Sequence, residues 1–174
     1  IVKWVDENGV EYTTMPGYDV ELYAVTDFDV LTSDSVNKVY DGITETLSVV
    51  VNPTGEYTYQ WYKDGVAIDG ANESTYNVLN VADSGEYYCV VSSQYHSVVS
   101  DVIVVNIEKS TIDISEVEWD YTTPFVYDGT EKTVALVNVP NLVEVTYVDN
   151  AKTVAGEYTA VATLSYDEAN YVLV

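Results

Sequence analysis

The chain has 174 residues, with 29 acidic side chains against 6 basic ones and a formal net charge of -23. All six basic residues are lysines, so the guanidinium fork that grips phosphate is missing. The excess of carboxylates also repels nucleic acid backbones and anionic membranes. A single Cys (Cys89) and a single His (His96) exclude a Cys/His metal site and any disulfide within the chain.

Residues 1–5 read as a short strand, Asp6-Glu7-Asn8-Gly9 as a turn with an Asn-Gly signal, and residues 10–13 as the strand that pairs back. Met15-Pro16-Gly17 marks a second turn. Residues 20–25 form another strand, with Leu22 and Ala24 alternating against Glu21 and Tyr23. The string WVDENGVEYTTMPGYDVELYAV resembles the C-terminal half of the Listeria–Bacteroides repeat of bacterial surface proteins. Trp4, Met15-Pro16 and Leu22-Tyr23-Ala24 carry that resemblance, which implies part of a β-grasp-like module over residues 1–29. The chain begins at Ile1 without a Met or a signal-peptide pattern, so it is expected to be a piece of something longer.

Residues 27–37 read as a polar connector. Residues 44–51 form a strand with Leu47, Val49 and Val51 on one face. Tyr59 and Trp61 alternate in the next strand, and Lys63-Asp64-Gly65 is a turn. Residues 70–74 form a loop and 75–79 a strand. Asp83-x-Gly85-x-Tyr87-x-Cys89 leads into a strand at 87–92, a turn at 94–97 and a long last strand at 98–107. This pattern resembles the immunoglobulin-like family over residues 30–108. The resemblance implies a core Trp on strand C and a tyrosine corner two residues before a Cys on strand F. It implies a core built from Val49, Trp61, Leu79, Tyr87 and Cys89. Val49 stands where the family has its strand B cysteine, so Cys89 is expected as a free, buried thiol and the domain forgoes the 2–4 kcal/mol or so of a bridge. The family's strand D Arg is missing too, so Asp83 needs another partner, such as backbone.

A second unit is expected over residues 109–174. Val39-Tyr40-Asp41-Gly42 recurs as Val126-Tyr127-Asp128-Gly129, and Ser84-Gly85-Glu86-Tyr87 as Ala155-Gly156-Glu157-Tyr158. Tyr158 then takes the corner and core place of Tyr87, while residues 144–148 stand where the Trp-bearing strand would be. From residue 112 to 174, WDYTTPFVYDGTEKTVAL…AGEYTAVATLSYDEANY resembles the Tyr-Asp-Gly repeats of bacterial adhesin-like proteins. Seventeen Tyr, many Val and Thr, and turn signals every 8–12 residues or so fit an all-β chain. No segment shows helical periodicity, and no apolar run reaches the roughly 20 residues that span a bilayer. The expected fold is tandem immunoglobulin-like β-sandwiches preceded by a partial small β module.

Residues with catalytic chemistry are few. His96 falls at a predicted hairpin tip, and Cys89 points inward, where burial makes a thiol inert. No enzymatic activity is expected. Glu116, Glu118 and Asp120 alternate with Val117, Trp119 and Tyr121, the pattern of a solvated strand face. Oxygen ligands for Ca²⁺ are candidates at two clusters, Asp27, Asp29 and Asp34, and Glu108, Asp113 and Glu116; no other cofactor is expected. Trp4 and Trp119 are candidate sugar platforms, with packing the favoured reading. A Lys–Asn isopeptide link has a suitable order along the chain for Lys38 with Asn106 or Lys132 with Asn170. Asn72-Glu73-Ser74 matches a glycosylation acceptor. The expected role is a non-catalytic spacer in a secreted or cell-surface bacterial adhesin-like protein, monomeric and without nucleic acid or membrane insertion. The alternatives are a module binding host protein or glycan through residues 64–71 and 93–97, or an accessory domain of a secreted carbohydrate-active enzyme.

Overall fold

The computed structural model describes residues 2–121 and 123–174; Ile1, the start of the first predicted strand, lies outside them. The chain divides into two compact units, Ile1–Ile107 and Glu108–Val174. Among the described residues, every regular element is a strand apart from one 3-10 turn at Val81–Asp83.

The first unit opens with β1 (Val2–Val5), β2 (Glu11–Tyr12) and β3 (Tyr23–Thr26), a sheet in the order β2-β1-β3. The Asp6 carboxylate pins its first turn. It accepts the Asn8 and Val10 amides at 2.9 Å each and the Tyr12 hydroxyl at 3.2 Å. Trp4 remains half exposed on this sheet.

The sandwich follows. Its strands are β4 (Asp29–Thr32), β5 (Val36–Val39), β6 (Glu45–Asn52), β7 (Thr58–Lys63), β8 (Val66–Ala67), β9 (Thr75–Val78), β10 (Gly85–Ser92), β11 (Ser97–Val99) and β12 (Ile103–Glu108). One sheet runs β4-β6-β9 and the other β5-β12-β10-β7-β8, with β11 also on β10. Strict alternation decides what faces inward. Leu47, Val49 and Val51 from β6 meet Tyr87, Cys89 and Val91 from β10 and Ile103, Val105 and Ile107 from β12, all buried around a fully buried Trp61. The indole is satisfied there, its Nε1 donating to the Glu73 carbonyl at 2.9 Å. This is the immunoglobulin-like arrangement.

Three sequence expectations change in this unit. The connector at 27–37 contains two strands, β4 and β5. Val30 of β4 pairs opposite Val51 and sits on the half-buried face with Thr32, while Asp29 and Leu31 face outward. Leu79 does not join the core. Val78 takes the inward position with 1% exposure, while the Leu79 and Asn80 amides both donate to the Asp83 carboxylate at 2.8 Å and turn the chain there. The predicted strand at 98–107 is split into β11 and β12. Between them Ser100 is buried, and its Oγ accepts the Cys89 amide at 2.9 Å in place of a ladder carbonyl.

The second unit comprises β13 (Ser110–Ile112), β14 (Glu118–Trp119), β15 (Lys132–Thr133), β16 (Leu136–Val137), β17 (Glu144–Val148), β18 (Ala151–Lys152), β19 (Val161–Ser165) and β20 (Tyr171–Leu173). They form four two-stranded ladders: β13-β20, β14-β16, β15-β18 and β17-β19. The first is parallel and the others antiparallel. Among its described residues only Ile112 and Val143 are buried and apolar. Tyr158 is 50% exposed, so it is not a core residue as its alignment with Tyr87 implied.

Candidate functional site

The Gly-Glu-Tyr element recurs with one geometry. Tyr87 donates its hydroxyl to the Asp83 carbonyl, and Tyr158 donates to the Val154 carbonyl at 3.0 Å, in each case four residues upstream. A third copy, Gly55-Glu56-Tyr57, does the same to the Pro53 carbonyl at 2.9 Å. Sequence reasoning passed over it although the tripeptide is identical. A Cβ on Gly55 or Gly156 would crowd the ring of the tyrosine two residues on at 3.1–3.3 Å, whereas one on Gly85 would meet the Lys63 and Asp64 side chains at 2.8–2.9 Å. The Tyr-Asp-Gly element also repeats its geometry. Asp41 accepts the Ile43 amide and Asp128 the Thr130 amide, both at 2.9 Å, and Gly42 and Gly129 carry φ of 75° and 78°.

The loops proposed for recognition part company. Thr58 pairs with Ser92 and Lys63 with Tyr87, so residues 93–97 lie at one end of β7 and residues 64–71 start at the other. At the first end, a cleft of about 510 Å³ is lined by Ala24, Phe28, Tyr57, Thr58, Gln94 and Tyr95. Tyr95 stacks on Tyr23 with centroids 5.1 Å apart, and Phe28 packs against Tyr57 at 4.7 Å. His96 meets Phe28 edge-on at 5.7 Å, and its carbonyl accepts the Ser93 amide at 2.8 Å. It serves the turn and the ring cluster. Cys89 is fully buried and its thiol is pushed up to about 11 by desolvation, so His96 and Cys89 form no nucleophilic pair.

The acidic candidates are not assembled. Asp29, Asp34, Glu108, Asp113 and Glu116 are exposed and Asp27 is half-buried. Asp113 caps its own turn by accepting the Ser115 amide at 2.8 Å. Among the described residues no three Asp, Glu, His or Cys side chains come together in a way that holds a metal ion. The fold therefore does not gather the Ca²⁺ candidates into one site among the described residues. The isopeptide pairs are not joined either. The Lys38 ammonium is held by Asp41 at 2.7 Å and Glu45 at 2.9 Å, while the Asn106 amide donates to Asn37. Lys132 binds Asp128 at 2.7 Å, and the buried Asn170 amide donates to Asp167 at 2.9 Å.

In the second unit a cleft of about 730 Å³ is lined by Trp119, Tyr121, Phe125 and Tyr158 together with Lys132 and Lys152. Trp119 rests on Tyr147 with centroids 6.0 Å apart, and Tyr121 lies 5.4 Å from Phe125. The Lys152 ammonium sits 5.0 Å over the Tyr158 ring and pairs with Asp149 at 2.5 Å. Trp119 thus packs on one side and lines a cleft on the other. Its companions come from segments far apart in sequence.

No family model and no curated protein matches the chain. Solved structures with similarity include the N-terminal four Ig domains of Dscam1 isoform 7.44, at 21% identity over 53% of this chain and 25% of that one, with a TM-score of 0.38. A C. elegans twitchin kinase fragment with immunoglobulin domains is similar at 17% identity over 47% of this chain and 20% of that one, with a TM-score of 0.35. Titin M4 is similar at 22% identity, 45% of this chain and 94% of that one, with a TM-score of 0.32. The chain spans about a quarter of the length of the Dscam1 chain it matches.

Proposed function

We propose that this chain is a non-catalytic, load-bearing segment of a secreted or cell-surface bacterial protein of the adhesin type. The observation that carries this reading is the parallel pairing of β13 with β20. These are the earliest and latest strands of the second unit. Tension applied through them slides one strand along the other, so it loads the ladder bonds together instead of opening them one at a time. The Ser110 amide to the Asn170 carbonyl, at 3.0 Å, and the Val174 amide to the Ile112 carbonyl, at 3.0 Å, lie along that seam. The resemblances at Trp4 to Ala24 and at Val126 to Gly129 support the bacterial surface setting, and the charge of -23 keeps neighbouring copies apart. Single-molecule stretching of the whole chain tests it. Two rupture events are expected, and Ser110→Pro, which deletes one seam donor, should lower the force of one event only. Rupture forces indifferent to Ser110→Pro would remove the proposal.

A second reading is favoured by the cleft lined by residues 55–58 and 92–95, where Tyr57 and Tyr95 accompany exposed Gly55, Glu56 and Gln94. Here the first unit would bind a host protein through loop tips held by a rigid sandwich. A surface screen of host proteins against the wild type and Gln94→Ala tests it, and loss of every hit in the variant is the expected result. Hits unaffected by Gln94→Ala would place the contact elsewhere.

A further inference from the structure

We propose that the cleft of the second unit is a binding site for a neutral oligosaccharide. The proposal stands apart from the load-bearing role and concerns a different surface from the loop cleft of the first unit. At about 730 Å³ the cleft falls within the range of small-molecule sites, roughly 300–1,000 Å³. Its rings are only half covered: Tyr121 and Phe125 are 45% and 51% exposed, and Tyr158, with the Lys152 ammonium over its ring, is still 50% exposed, in a chain that buries Trp61 completely. Flat aromatic faces turned to water at one concave place are what the C–H faces of a pyranose ring need.

The rings are also held before any ligand arrives. Tyr158 is tied by its hydroxyl to the Val154 carbonyl, Trp119 is backed by Tyr147, and Tyr121 pairs with Phe125. A pre-ordered site loses little conformational freedom on binding.

Charge decides the ligand class. Lys132 and Lys152 are two of only six lysines in the chain, but each is matched by an aspartate, Asp128 at 2.7 Å and Asp149 at 2.5 Å. Glu157 lines the same cleft. The ammonium groups are thus balanced, so no surplus positive field selects an anion. What remains is a dense set of donors and acceptors beside apolar rings, the combination that suits hydroxyl groups on a carbon frame.

The test is titration of the 174-residue chain with cellotetraose, chitotetraose and mannotetraose, with tetragalacturonate as the anionic comparator, followed by calorimetry and indole fluorescence. Saturable binding of at least one neutral sugar is expected, nearly unchanged by a tenfold rise in salt. Tyr121→Ala and Phe125→Ala should each weaken it at least tenfold with the melting temperature held. Should Tyr121→Ala perturb the fold, Tyr121→Leu keeps the bulk without the ring face and should show the same loss. No neutral sugar bound, binding of tetragalacturonate alone, or full affinity in the ring variants would each overturn the proposal.

Discussion

The Tyr87 hydroxyl donates a 2.6 Å hydrogen bond to the carbonyl of Asp83, and the Asp83 carboxylate in turn holds the amides of Leu79 and Asn80. One phenol and one aspartate thereby fix the whole crossing from β9 to β10. The same phenol-to-carbonyl tie at Tyr57 and Tyr158 sits in progressively wetter surroundings, because Tyr87 is 1% exposed, Tyr57 is half-buried and Tyr158 is 50% exposed. Removing the hydroxyl should therefore cost in that order. Tyr87→Phe is expected to lose about 1–2 kcal/mol by taking the donor from a half-buried carbonyl, and Tyr158→Phe no more than about 0.5 kcal/mol. Urea denaturation of the three single variants measures this, and an equal loss at Tyr158 would contradict it.

Val49 and Cys89 lie in one buried cluster, on facing sheets. Native Cys89 should resist alkylating reagents and react only on unfolding, since its thiol is buried and its pKa raised. Val49→Cys should close a bridge under oxidising conditions and raise stability by about 2–4 kcal/mol, reversed by reductant. Thiol counting and denaturation midpoints with and without reductant read both effects; two free thiols after oxidation would count against the packing described.

Asp128 is held far below the ordinary 3.8 of a carboxyl, first by Lys132 and then by the Thr130 hydroxyl and amide. A carboxyl depressed in the folded state stabilises in full above its unfolded value and loses that contribution as pH falls towards its folded one. The melting-temperature gap between wild type and Asp128→Asn should stay constant from pH 7 to about 4 and shrink below that. The gap will be small because the pair is exposed. A gap already gone at pH 6 would assign it to another group.

Gly42 and Gly129 have no atoms near where a Cβ would point, yet both adopt positive φ. Replacing either with Ala should cost about 1 kcal/mol purely through backbone conformation, and Asn should recover part of it. Paired melting curves for the Ala and Asn variants check this.

The all-β class was legible because each diagnostic residue has few alternative uses. A Trp beside alternating tyrosines, a Lys-Asp-Gly turn and a Tyr two residues before a Cys have little meaning outside a sandwich. Leu79 was misread by one position, and in a strand one position is the difference between inside and outside. β4 and β5 hid because polar and apolar residues fall on both of their faces: Leu31 and Val39 are exposed while Thr32 and Lys38 are half-buried. Ser100 was illegible because its role, taking the Cys89 amide, depends on a partner strand that sequence spacing does not place. The cleft of the second unit was illegible for a similar reason: Trp119 on β14, Lys152 on β18, and Phe125 and Tyr158 outside any strand share no period that would place them together.

The parallel seam also sets an order on biosynthesis. β13 leaves the ribosome before the rest of its unit and waits for β20, its ladder partner among the described residues. Until Leu173 has been added, a row of backbone donors and acceptors on β13 stays bare, the condition in which nascent β-chains stick to one another. A translation product that stalls after Ile112 and before Tyr171 therefore exposes an adhesive edge that the finished protein hides, which makes the last few codons of this unit a checkpoint for its solubility.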